Sequence, residues 1–235
     1  MNYTNAIIDR RFFVGEMSAS DAVIIFLRAP IRGRVKTRLA RTLGEGKATE
    51  FYQLCVDATI DEIGSLTQTA EKHIFYADPE PEYRVKRYVG RGFKISFQEG
   101  KDLGERLYNS FRSVLGGGMK KAVIVATDVP DLTADVIVKA MDSLDSSDLV
   151  IGPSQDGGYY LIGMSALHPE LFQGIDWGSD MVCQQTLEAS QINGLKVKLL
   201  PRLIDIDTRE DLIRWSRDAR HNKAALMDFV KAVHL

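Results

Sequence analysis

The chain has 235 residues, 45% of them hydrophobic and 26% charged, with a formal net charge of −2. These values suit an ordinary soluble globular protein with a sizeable core. They exclude a bulk attraction to nucleic acid or anionic membrane, and no run approaches the ~20 apolar residues of a membrane span. The two cysteines, Cys55 and Cys183, form no motif, which points to free thiols in a cytoplasmic setting and not to a disulfide frame or a zinc site.

Residues 1–20 lack the apolar h-region of a secretory signal and read as an N-terminal extension, with residues 21–235 forming a single domain. Ala22–Leu27 (AVIIFL) reads as the first strand. A basic loop follows, from Arg28 to Arg41, with six basic residues and no acid in 14 positions, where chance would give about two. Pro30 and Gly33 shape a turn, and Gly33 lets backbone amides approach a ligand. The loop runs into a short helical stretch, Val35–Leu43, and helix N-termini attract anions. Arg28, Arg34, Lys36 and Arg38 are therefore candidates for holding nucleotide phosphates, although a solvated basic face would have the same composition. Neither GxxxxGK[ST] nor GxGxxG is present, so this is not a Walker A loop or a nicotinamide or flavin turn.

Gly46–Leu66 has helical spacing, His73–Ala77 and Phe93–Gln98 read as strands, and Leu103–Leu115 as a helix stopped by three glycines. Lys121–Leu132 (KAVIVATDVPDL) is the centre of the chain. Its apolar run reads as a strand buried on both faces. Pro130 ends it, and Thr133 can cap a helix over Ala134–Leu144. Asp128 thus sits at the carboxyl end of a central strand, where open α/β sheets bind ligands, though a lone Asp also suits a plain turn. Leu149–Gly152 and Tyr159–Met164 read as strands joined by Asp156-Gly157-Gly158, which suits a tight turn or, with the adjacent tyrosines, an open shelf for a small acceptor. Trp177, just before a helix over Met181–Ser190, is either core or a pocket wall.

A strand over Val197–Leu200 leads to Asp205 and Asp207, which alternate with Ile204 and Ile206 and in an extended segment point the same way. Thr208 and Asp211 make a helix N-cap pattern for Thr208–Arg220, and a last helix covers Ala224–Val233. Carboxylates from two strand ends, with no His or Cys nearby, are the donors that Mg²⁺ or Mn²⁺ takes alongside water and phosphate. Strands alternate with helices through the first half, which argues a parallel sheet covered on both faces, with residues after about 150 forming a lobe over its edge.

Taken together, PIRGRVKTRLA, DLGER (Asp102–Arg106), TDVPDL, GPSQDGGYYLIGM, GIDWGS and DIDTREDL, in that order, resemble the bacterial nucleotide-diphospho-sugar transferase family of the GT-A fold. More distantly they are similar to the guanylyl- and cytidylyltransferases that make 2-phospholactate and molybdenum-cofactor derivatives. The resemblance implies a Rossmann-like three-layer α/β/α sandwich with a mainly parallel sheet. It implies a metal-dependent transferase whose donor is an NDP-sugar or an NTP and whose acceptor is a small molecule. Glycosyl transfer is the leading activity, with nucleotidyl transfer and pyrophosphate release as the alternative. By the same resemblance, Asp128 matches the metal-binding Asp of a DxD motif, and Asp207 or Asp205 the second metal carboxylate. Asp128 and Asp156 are then the catalytic candidates, and Gly157, Gly158, Tyr159 and Trp177 the substrate-binding ones.

Overall fold

A computed structural model describes residues 18–66, 70–77, 88–217 and 223–234. The expected N-terminal extension therefore falls largely outside the described residues. Seven strands form one sheet: β1 (Asp21–Leu27), β2 (Glu71–Tyr76), β3 (Phe93–Phe97), β4 (Lys121–Val125), β5 (Leu149–Pro153), β6 (Tyr159–Met164) and β7 (Val197–Leu199). Their order is β3-β2-β1-β4-β6-β5-β7. Every pairing is parallel except those of β6, which runs antiparallel between β4 and β5. The helices are α1 (Thr37–Ser65), α2 (Leu103–Gly116), α3 (Ala134–Ser143), α4 (Val182–Ile192), α5 (Arg209–Ser216) and α6 (Ala224–Ala232).

The apolar strands are continuous in sequence because both faces of the sheet are covered. Val23, Ile25, Val123 and Val125 pack under α1 and α3, against Val56, Ile60, Ile137 and Met141. Their neighbours Ala22, Ile24, Ala122 and Ile124 face the other way, onto Leu107, Phe111 and Val114 of α2. This is the period-2 alternation of a strand read twice, once per face. A third cluster joins Phe51 and Cys55 of α1 to Ile206, Trp215 and Phe229, and so fixes α5 and α6 against α1.

One expectation changes. The residues after about 150 are not a lobe over the sheet edge: β5, β6 and β7 continue the same sheet. Periodicity marks a strand but not its partner, and β6 returns through the Asp156-Gly157-Gly158 turn to insert beside β4. The two helical stretches expected on either side of Gly44 are both present within the α1 span, parted where Gly44 takes φ 80°, ψ 154°, a backbone conformation that suits glycine. Asp102 and Thr133 accept from the amides of Glu105 and Val136 as N-caps, and Thr208 with Asp211 completes a reciprocal capping box. Among the described residues no helix is long and apolar enough to cross a membrane.

His73 of β2 gives the sheet a pH-dependent component. Burial lowers its pKa below 6.5, against the opposing pull of Glu71, whose carboxylate lies 2.9 Å away. The unfolded chain then binds the proton first as pH falls, so the contribution is full above 6.5 and is lost as pH drops through the folded value. Replacing His73 by Asn should narrow the stability difference between pH 7.5 and pH 5.5, read by urea unfolding of both proteins. An unchanged difference would count against the buried neutral imidazole.

Candidate active site

The candidate site is assembled at the carboxyl ends of β1 and β4. Tyr52 of α1 ties the two ends together. Its buried hydroxyl accepts from the Arg28 amide (3.1 Å) and shares a hydrogen bond with the Thr127 hydroxyl (3.0 Å). Burial raises the Tyr52 pKa, so the phenol stays neutral. The segment 203–207 crosses the same edge: Leu203 donates to the Pro153 carbonyl (3.1 Å) and Ile206 to the Asp128 carbonyl (3.0 Å). That backbone bond brings Asp207 next to Asp128.

Between the two carboxylates sits the ammonium of Lys36. Its Nζ is 2.7 Å from Asp207 Oδ1 and 3.3 Å from Asp128 Oδ2. The Lys36 side chain is 4% exposed, whereas the Asp128 and Asp207 side chains are 35% and 36% exposed. Burial alone would lower the Lys36 pKa, but the two carboxylates outweigh it and raise it. Burial likewise works to raise Asp207, yet Lys36 and Arg38 hold it below the usual carboxylate range. Lys36 reaches this position from a left-handed backbone (φ 47°, ψ 44°) just before α1, a conformation costing a non-glycine residue on the order of 1–3 kcal/mol.

These groups border a cleft of about 640 Å³, together with Arg28, Gln98, Lys101, Asp102, Arg106, Trp177 and Gly178. Of the basic residues expected at phosphate, Arg28 and Lys36 line it. Arg38 stands at the rim, 3.8 Å from Asp207 Oδ2. Arg34 is exposed and lies outside the lining, a correction to its expected role. Of the two alternating carboxylates, Asp207 enters the site. Asp205 instead accepts from the amides of Gln155 (3.2 Å) and Asp156 (3.3 Å), and burial with the nearby Asp156 charge pushes its pKa up to about 6. Asp131 accepts from the Trp215 indole (2.9 Å) and serves the α5 packing.

The acceptor shelf is also corrected. Asp156 is exposed and accepts from Ser154 Oγ (2.5 Å) and the Gly158 amide (2.9 Å), within its own turn. Gly157 has φ 89°, and a Cβ there would lie 1.9 Å from the Asp180 carbonyl oxygen, so the turn is packed against the chain before α4 and not open. Gly157 also accepts from the Cys183 amide (2.9 Å). Tyr159 packs into the core beneath α4. None of Asp156, Gly157, Gly158 and Tyr159 borders the cleft, whereas Trp177 does. Arg106 and Lys101 were not singled out as site residues, although DLGER was visible as a motif. Its signal was the Asp102 cap, which aims the start of α2 at the cleft.

The donor set suits a divalent ion. Lys36 engages one oxygen of each carboxylate, and both carboxylates keep about a third of their surface exposed. Among the described residues no three His, Cys, Asp or Glu side chains group into an all-protein metal cage. Two carboxylates supplemented by water and phosphate oxygens is the pattern Mg²⁺ uses.

Residues 60–179 match the family described as "Uncharacterized protein conserved in bacteria (DUF2064)". The chain belongs to this family. It is 32% identical to a "putative nucleotide-diphospho-sugar transferase" from Desulfovibrio desulfuricans G20, with a TM-score of 0.82 over 92% of this chain and 97% of that one. The fold is also that of a 4-diphosphocytidyl-2C-methyl-D-erythritol synthase from Anaerococcus prevotii (TM-score 0.56, 10% identity, 92% and 97% covered). A cytidylyltransferase from Leptospira borgpetersenii shares it as well (TM-score 0.52, 12% identity, 91% and 94% covered). Among curated proteins none matches the chain. The family's matched region holds β2 to β6, with Asp128 after β4, and leaves β1, β7, Lys36 and Asp207 outside it.

Lys36→Met leaves two carboxylates facing each other without their cation. A fully buried broken pair costs about 3–5 kcal/mol. With the acids a third exposed, the expected loss is about 1–3 kcal/mol. Adding Asp128→Asn should restore part of it. Urea unfolding checks both, and a Lys36→Met protein as stable as the parent would contradict the paired arrangement.

Proposed function

We propose that this DUF2064 protein is a cytoplasmic, metal-dependent transferase that moves a sugar from an NDP-sugar to a small acceptor. The observation carrying this reading is the pairing of Asp128 and Asp207 beside Lys36 and Arg28, in a cleft at the carboxyl ends of β1 and β4. The name printed for the 32% identical relative supports it, and two unpaired cysteines suit a reducing compartment.

In the proposed step, an acceptor hydroxyl oxygen bonds to the sugar C1 as the C1–O bond to the diphosphate breaks. The electron pair leaves on the diphosphate, and the hydroxyl proton passes to solvent. Negative charge therefore grows on the phosphate oxygens. Arg28 and Arg106 line the cleft to meet that charge, Arg106 held by its bond to the Gly100 carbonyl, with Lys36 adding buried positive charge behind them. Tyr52 and Thr127 hold the Arg28 backbone and the Asp128 strand end in register, so the phosphate-binding and acidic sides do not separate. Asp128 and Asp207 would hold Mg²⁺ or Mn²⁺, which when bound supplies further positive charge against the departing diphosphate.

The second reading is nucleotidyl transfer, the activity printed for the cytidylyltransferase of the same fold. One local observation weighs against it. In the loop after β1, Ile31 donates to Ala29 (2.7 Å), Arg34 donates to Ile31 (3.0 Å), and Pro30 has no amide. A triphosphate cradle needs such amides turned to the ligand. A diphosphate gripped by side chains does not.

Three outcomes are expected. Calorimetry with Mn²⁺ and a nucleoside diphosphate should show a metal-dependent heat that Asp128→Asn removes; a heat of equal size in that variant would sink the metal assignment. Arg28→Ala should weaken nucleotide binding about 10- to 100-fold with the melting temperature unchanged, because Arg28 is exposed and its structural bond comes from the backbone. Incubation with Mg²⁺ and panels of donors should release NDP from an NDP-sugar and no pyrophosphate from NTPs with phosphorylated acceptors. The reverse pattern would establish the second reading in place of the first.

A further inference from the structure

A second cavity, of about 480 Å³, adjoins the first. Lys101, Asp102 and Trp177 line both, so the two lie side by side. Trp177 divides them and is held firmly. Its indole lies so close to Gly104, at the start of α2, that a Cβ there would come within 2.3 Å of Nε1. Beyond Trp177 the walls are aromatic and apolar: Tyr108 of α2 meets Phe172 edge-on at 6.1 Å, and Ile175 completes the surface. The charged lining is Lys101, Asp102 and Glu105. Lys101 is already paired with Glu105 at 2.8 Å, leaving one negative charge in excess.

We propose that this cavity is the acceptor site and that the acceptor is a neutral, hydroxyl-bearing ring, a sugar or cyclitol. The proposal rests on the transferase reading above and adds the class of the second substrate. A cavity of this size with few polar groups is typical of small-molecule sites. The C–H face of a sugar ring packs on Trp177 and Tyr108, as apolar surface does on aromatic rings. Its hydroxyls donate to the Asp102 carboxylate, one oxygen of which caps α2 while the other is left to accept. A phosphorylated acceptor would instead meet like charge, with the one lysine already engaged. The shared wall of Lys101, Asp102 and Trp177 sets a ring seated here beside the Asp128 and Asp207 cleft, where the donor phosphates sit.

The test uses the full chain and its tryptophan fluorescence. Of two tryptophans, Trp215 is fully buried, so quenching by an added ligand reports Trp177, and Trp177→Phe should abolish the signal. Methyl glycosides and myo-inositol are titrated beside the matching phosphates, with nucleotide binding followed separately by calorimetry. The expected result is saturable quenching by at least one neutral ligand, with its phosphate at least about ten-fold weaker. Tyr108→Ala should weaken that binding about ten-fold. Gln173→Ala, an exposed lining position, should also weaken it, and serves if the tyrosine variant does not fold. Nucleotide binding without any sugar binding, tighter binding of the phosphates, or unchanged binding in both variants would overturn the proposal. Sugar binding without nucleotide binding would uphold the cavity and overturn the transferase reading instead.

Discussion

The site depends on one buried ammonium. Asp128 and Asp207 lie 79 positions apart in the chain; the Ile206–Asp128 backbone bond brings them together, and Lys36 bridges their carboxylates at 2.7 and 3.3 Å. Two bare carboxylates at that separation would repel, and one would take up a proton. Lys36 offsets that repulsion while about a third of each side chain remains open to the cleft. The arrangement is asymmetric in a useful way. The cation is hidden and the anions are partly exposed, so the cleft presents acidic oxygens backed by a positive charge. A strained left-handed backbone at Lys36 persists because both acids, and the helix that starts one residue later, fix it there.

The sheet supplies the framework for that contact. Parallel β1 and β4 end at the same level, and the residues following them, Arg28 and Asp128, emerge side by side. Inserting β6 antiparallel beside β4 moves β5 and β7 outward. The chain leaving β7 must then return across the carboxyl edge to reach α5, and the isolated bridge between Ser154 and Leu203 marks its path. Asp207 is delivered by this return, and the Thr208 and Asp211 capping box stops the segment immediately afterwards by starting α5. Packing of Trp215 and Ile206 against α1 holds the return segment down. The local geometry of the site is thus set by elements whose own business is core packing.

Much of this was legible in the sequence, for identifiable reasons. Apolar runs such as AVIIFL and KAVIV mark strands buried on both faces, and Asp102, Thr133 and Thr208 mark helix starts, because both signals are local. The placement of Asp128 at the end of β4 and of Lys36 in the loop after β1 was legible because strand ends and basic loops are local signals, but the pairing of Lys36 with two carboxylates was not. What was not legible depends on partners far away in the chain. Periodicity makes Asp205 and Asp207 equivalent. Two amides from Gln155 and Asp156 take one of them, and Lys36 takes the other. Glycines in DGG read as an open shelf, but Gly157 is small because the Asp180 carbonyl occupies the space a side chain would need. The same pattern of residues serves close packing as readily as ligand access, and only the neighbour decides.

That distinction extends to the chemistry. A protein of the same fold, 12% identical to this chain, carries the name cytidylyltransferase, so the sheet alone does not select the bond that is broken. The selecting feature is local: how the loop after β1 meets phosphate. Where amides point at the ligand, the backbone can wrap three phosphates in sequence. Here Pro30 and the internal bonds of Ile31 and Arg34 close the turn on itself, and positive charge reaches the cleft through the side chains of Arg28 and Arg106, with Lys36 buried behind them. Side chains grip at discrete points, which suits the short diphosphate of an NDP-sugar. The acidic, aromatic cavity past Trp177 is complementary to this, since a donor that brings its own charged groups to one side leaves the other side free to take a neutral ring. On the proposed reading, Arg28 and Arg106 on one side of Trp177 and Glu105 on the other make the order of donor and acceptor along the cleft a consequence of electrostatics and not of shape alone.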